Sequence, residues 1–273
     1  MREAPTTDPH AGSPPPFPRT LVAEDAHALA EEASSLLLST IEDALAARGR
    51  ARVILAGGET PRETYALVGK GLRARDVPLE KLAWFFGDER WVNRTHPRSN
   101  EGMARAALLN LIGAPEDTIH SWDAGWGNPV QCAGLYGRRV RELMGRPEEA
   151  PDLLILGLGA DGHTASLFPG ATAHLPDGGR VPISPVLPGE AAAVEGDAER
   201  GWRLTLCPVF LRTSRCVVFL VAGADKAPAL RRARSGERAT PAAWIRGAAT
   251  WFIATREAMG TDEPGYGREI LHA

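Results

Sequence analysis

Asp161 and His163, an acid and an imidazole two residues apart, sit in a glycine-rich turn directly after a buried-looking apolar run, Leu153 to Leu158. In a parallel α/β sheet the carboxyl ends of strands open into a ligand crevice, so a titratable pair there points to proton-transfer chemistry. Three further glycine-bearing turns follow apolar runs: Gly57-Gly58-Glu59-Thr60-Pro61, Gly87-Asp88-Glu89-Arg90 and Gly223-Ala224-Asp225-Lys226. If the strands are parallel, all four turns share one edge. They bring backbone N–H groups, carboxylates, an imidazole, a guanidinium and an ammonium to that edge, a set suited to a phosphorylated substrate.

Each residue also has a plainer reading. Gly57 and Gly58 permit close backbone approach, Thr60 offers a hydroxyl, and the helix start behind them presents unpaired N–H groups to a phosphate. The same residues would also serve a structural turn. A histidine beside a helix start is often only hydrogen-bonded, but a glycine-rich turn at a strand end favours catalysis for His163. Asp161 would orient or charge-stabilise the imidazole, although residues i and i+2 of a turn need not face each other. Asp88 and Glu89 read equally well as solvated charges. Gly157 to Gly162 matches G-x-G-x-x-G, but Pro169-Gly170 leaves no room for the long helix a dinucleotide site needs. No H-E-x-x-H or C-x-x-C suggests a metal, and no G-x-S-x-G elbow supports a serine hydrolase.

Strands alternating with helices must position these turns. Ala26, Leu29, Ala30, Ala33, Leu37, Ile41 and Leu45 mark one face of a helix from Ala23 to Arg48, stopped by Gly49. Strands are expected at Arg52–Ala56, Leu82–Phe86, Leu153–Leu158, Arg203–Leu206, Cys216–Ala222 and Thr250–Ala254. Thr60 is the expected N-cap of a helix with Pro61 in its first turn. Further helices are expected over Glu101–Leu111 and Gln131–Met144, with another through Leu230. The stretch from Gly170 to Arg200 reads as loop with one strand near Val181 to Val186. The alternation predicts an α/β fold, an open, mostly parallel Rossmann-like sheet with helices on both faces.

Of the 273 residues, 44% are hydrophobic and 24% charged, with a net charge of −3, so neither a nucleic acid nor a membrane is an expected partner. Cys132, Cys207 and Cys216 have no paired spacing, which favours reduced thiols in a cytoplasmic protein. Residues 1–20, rich in proline, read as a disordered tail, 21–259 as one domain and 260–273 as a C-terminal tail.

LAGGETPRETYALV, WFFGDERWV, RSNEGMARAALL, DLLILGLGADGHTASLFPG, RLTL and VVFLVAGADKAPAL occur in the order and spacing of the 6-phosphogluconolactonases, which this chain resembles from about Ala23 to Ala258. That family is grouped with glucosamine-6-phosphate deaminase. The resemblance implies a carboxylic ester hydrolase of the oxidative pentose phosphate pathway, opening 6-phospho-D-glucono-1,5-lactone without metal or organic cofactor; whether as a monomer or a small homo-oligomer the sequence leaves open. On this reading His163 is the expected general base, supported by Asp161, with Arg90 or turn N–H groups meeting the developing oxyanion; by the resemblance Arg90 looks like a ligand for substrate oxygens or phosphate. Gly57, Gly58, Thr60, Arg203 and Lys226 hold phosphate, and Asp88 contacts substrate. Glu59 replaces the family's usual Ser and should point away from an anion. The deaminases carry a Glu where this chain has Phe168, which favours lactone hydrolysis over isomerisation and deamination. A non-catalytic sugar-phosphate sensor is the other alternative; it would need a DNA-binding unit, for which the proline-rich N-terminus reads as too short.

Overall fold

Fully apolar runs become the central strands because both of their faces are covered. The computed structural model describes residues 18–197 and 200–260. Its chain opens with β1 (Arg19–Ala23), then α1 (Ala26–Arg48), β2 (Ala51–Leu55), α2 (Thr60–Ala74) and β3 (Leu82–Phe86). The Asp25 side chain caps α1 by accepting the Ala28 N–H at 2.9 Å, and Gly49 ends it in the left-handed conformation. A short strand β4 (Asp88–Arg90) leads to α3 (Asn100–Ala104), a π-helical turn (Arg105–Leu109), α4 (Asn110–Ile112) and α5 (Pro129–Met144). Then follow β5 (Leu153–Gly157), β6 (Thr172–His174), β7 (Arg180–Pro182), β8 (Ala191–Val194), β9 (Arg203–Leu206) and α6 (Pro208–Leu211). The chain continues through β10 (Cys216–Val221), α7 (Ala227–Ser235), α8 (Pro241–Trp244), β11 (Ala249–Thr255) and α9 (Arg256–Met259).

Six strands form a parallel sheet in the order β1-β11-β10-β5-β2-β3. Every residue of β2 and β10 is buried. From β2 the chain continues outward to β3, whereas from β5 it continues the other way to β10 and β11, so β2 and β5 flank the topological switch point. Crevices open there, at the carboxyl ends of the strands. On the flanks α1 presents Leu29, Leu37 and Ile41, each ~1.5–3 kcal/mol of burial, and α5 reaches β3 through Tyr136, whose hydroxyl accepts the Phe86 N–H at 2.9 Å.

The second sheet is antiparallel, β4-β9-β8-β6-β7, and it corrects two expectations. Asp88 to Arg90 is a strand paired with β9, not a free turn. Gly87 joins the sheets: its N–H donates to Leu55 O at 3.0 Å and its carbonyl accepts Leu206 N at 2.9 Å. Residues 170–200, expected to be mostly loop, contain β6, β7 and β8. Arg19 and Thr20, assigned to the tail, begin β1, which pairs in parallel with β11. The remaining tails, 1–17 and 261–273, lie outside the described residues. Thr60 is the first residue of α2 and not its cap, a position held by Glu59 without a side-chain capping bond.

Candidate active site

The turn after β5 folds on its own side chains. Asp161 Oδ1 accepts both the backbone N–H of His163 at 3.0 Å and the ring Nδ1–H at 2.5 Å, so the two residues do face each other. Gly159 makes this possible, because a Cβ there would lie 2.0 Å from His163 Nδ1. Partial burial works to raise the Asp161 carboxyl, but the His163 N–H and ring, with Arg200 nearby, outweigh it and hold the group below its ordinary value. With Nδ1 engaged by a carboxylate, Nε2 is the nitrogen left to meet a water or substrate. Two residues on, Ala165 has φ of 48°, a left-handed conformation that is costly for a residue with a Cβ and recurs at functional sites. The Phe168 ring packs 4.7 Å from the imidazole, and the Arg200 guanidinium lies 4.9 Å over its ring.

A cleft of about 260 Å³ lies at the switch point. Gly57, Gly58 and Thr60 line it from the β2 side, Asp88 and Arg90 from β4, His163 from the β5 turn and Lys226 from the β10 turn. The four turns thus meet at one place. Gly57 is glycine for a packing reason: a Cβ would fall 1.7 Å from Asn100 Oδ1, so the Asn100 amide occupies that space. Glu59 points away as expected, its side chain 84% exposed and bidentate to Arg62. Lys226 Nζ pairs with the exposed Asp225 at 2.9 Å. Arg90 Nη1 donates to Arg98 O at 2.6 Å.

Arg203 stands apart. It faces Arg90 across the β4–β9 ladder, but its guanidinium donates to the Arg200 and Trp202 carbonyls and does not line the cleft. Burial, with Arg90 next, pushes it below the usual guanidinium value, and Arg98 and Arg200 add to that. A cluster of like charges is relieved by an anion.

Neither Asp88 nor Glu89 is solvated. Glu89, 2% exposed, accepts from Arg90 N at 2.7 Å, Asn100 N at 2.7 Å, Glu101 N at 2.8 Å and Ser99 Oγ at 2.9 Å. Burial pushes its carboxyl up, and these four donors hold it back. It therefore pins β4 to the start of α3 and fixes where Arg90 leaves the strand. Asn100, Ser166 and Arg200 escaped the sequence reading. The first two sit inside the quoted motifs RSNEG and HTASLF, a signal that was present; Arg200 had none. Among the described residues no group of three His, Cys, Asp or Glu side chains could hold a metal, and no helix is long and apolar enough to cross a membrane.

A parallel sheet whose switch-point cleft carries a histidine–carboxylate pair and a cationic, glycine-lined wall has the form of an α/β site for a small anionic ligand. Residues 24–253 match the family described as Glucosamine-6-phosphate isomerases/6-phosphogluconolactonase, and the chain belongs to that family. The 6-phosphogluconolactonase of Synechocystis sp. is 37% identical over 205 residues, 74% of this chain and 79% of its own length. That of Nostoc sp. is 34% identical over 212 residues, 77% of this chain and 82% of its own. A solved 6-phosphogluconolactonase from Trypanosoma cruzi superposes with a TM-score of 0.73 at 26% identity, covering 88% of this chain and 95% of that one. Lactonase-like hydrolysis is supported at the level of the family.

Proposed function

We propose that this protein hydrolyses 6-phospho-D-glucono-1,5-lactone to 6-phospho-D-gluconate, the lactone step of the oxidative pentose phosphate pathway, with His163 as general base. The observation that carries the reading is the Nδ1–Asp161 bond of 2.5 Å on a histidine that lines the same cleft as Thr60, Arg90 and Lys226. That bond fixes the tautomer with Nε2 unprotonated, the form that can take a proton from water.

Gly57, Gly58, Thr60 and Lys226 hold the phosphate, the lysine as a point charge and the turn through its backbone. Water loses a proton to Nε2 as its oxygen attacks lactone C1. The tetrahedral oxyanion is met by Arg90 or by turn N–H groups, a donor of this kind contributing ~3 kcal/mol in other enzymes. The imidazolium, favoured by the Asp161 charge, then protonates the ring oxygen as the C1–O5 bond breaks. Phe168 against the imidazole, in place of a carboxylate, supports water activation over the ring-opening relay that deamination uses.

Generating the lactone in place with glucose-6-phosphate dehydrogenase and following proton release tests the reading. Release well above the spontaneous rate is expected, with no ammonia from glucosamine 6-phosphate. Ammonia release without lactone hydrolysis would overturn it.

A further inference from the structure

Asp88 is the cleft carboxylate to which the reaction above gives no chemical step, yet it is tightly bonded. It is 9% exposed. Asn100 Nδ2 donates to its Oδ1 and to its carbonyl, both at 3.0 Å, and Ser166 Oγ donates to its Oδ2 at 2.7 Å. The donors come from different elements. Asn100 opens α3 and is wedged against Gly57, whereas Ser166 follows His163 by three residues; the two are 2% and 1% exposed.

Burying a carboxylate calls for donors, so satisfaction alone would explain two hydrogen bonds. The arrangement does more than satisfy. Each carboxylate oxygen accepts through two lone-pair sites and only one on each is taken by these side chains, on a residue that still lines the cleft. A serine hydroxyl has one hydrogen, and Ser166 commits it to the neighbouring sheet, not to its own turn. That bond sets the offset between the β4 edge and the histidine turn.

We propose that Ser166 and Asn100 are positioning residues that clamp the Asp88 carboxylate as a fixed acceptor for a hydroxyl of the bound sugar, at a set distance from His163. The inference deepens the lactonase reading and rests on it for the identity of the sugar. A carboxylate held by both oxygens cannot swing to follow its ligand, so the cleft selects a substrate whose hydroxyl arrives where the acceptor waits.

Calorimetric binding of 6-phosphogluconate to the full chain tests the clamp, using wild type, Ser166→Ala, Asp88→Asn and the double variant. Ser166→Ala and Asp88→Asn should each raise Kd about tenfold. The double variant should bind no worse than Asp88→Asn, because Ser166 acts through Asp88. Asn100→Ser in place of Ser166→Ala should give the same pattern. Effects that multiply, or a Ser166→Ala protein that binds like wild type, would overturn the clamp. So would coupling seen in unfolding free energies but absent from binding, since the bond would then be structural only. Wild-type protein that binds 6-phosphogluconate but does not hydrolyse the lactone defeats the lactonase reading and leaves the clamp to the binding cycle. Failure of the wild type to bind at all defeats both.

Discussion

The parallel sheet delivers its reactive groups to the cleft on turns, whereas the antiparallel sheet delivers its own on a strand edge. Turn groups are held locally: Asp161 and His163 bond to each other within three residues, over a glycine that leaves room for the ring. Edge groups are held from afar: Asp88 and Arg90 are fixed by the β9 ladder, by Ser166 and by Glu89 bonded to α3. Local support suits a base that must hold one tautomer. Distant support suits groups that must keep their place when the ligand arrives. Damage to the Asp161–His163 turn should therefore appear in kcat, and damage to the edge in folding and KM.

Asp161→Asn should break the comparison most severely if it is wrong. Losing the carboxylate that fixes Nδ1–H should lower kcat by ~10²–10⁴-fold while the melting temperature changes little. Stopped-flow proton release and a thermal melt together read both quantities. An unchanged kcat would mean the turn does not carry the base.

Glu89→Ala probes the edge. It strands two α3 N–H groups, the Arg90 N–H and the Ser99 hydroxyl, at a cost of roughly 2–4 kcal/mol, so a denaturant titration should show a clear loss of stability. Retained stability would show that β4 does not need its pin.

Lys226→Ala against Arg203→Ala sharpens the picture at smaller scale. Lys226 lines the cleft and Arg203 does not, so the first should raise KM about tenfold and the second about twofold or less. Equal effects would place Arg203 on the phosphate after all.

The smallest effect is in acid. Asp161 is held below its ordinary value of 3.8, so its contribution to stability is present above that value and is lost as pH falls through the lowered folded value. The melting-temperature difference between wild type and Asp161→Asn should be constant at neutral pH and shrink below about pH 4.

Legibility in the sequence follows the same division. VILA, LLILGL and VVFLV are continuous apolar runs, and a run buried on both faces announces a parallel strand without any knowledge of its neighbours. The glycine turns that follow were legible for the same reason. The antiparallel sheet was not, because β6 and β7 have three residues each and exist only through their pairing. AAAV at β8 has little strand propensity of its own and is set by β9. Asp88 and Glu89 read equally well as solvated charges because charge in a sequence carries no sign of the four donors that meet Glu89. The bond between Asp161 and His163 depends on a turn geometry that spacing alone leaves open.

The central claim is that the His163 imidazole turns water into the attacking oxygen. The most direct measurement is single-turnover lactone hydrolysis by His163→Ala, alongside its affinity for 6-phosphogluconate. A loss of at least a hundredfold in rate is expected, with affinity within about threefold of wild type. Near-wild-type hydrolysis by that variant would contradict it.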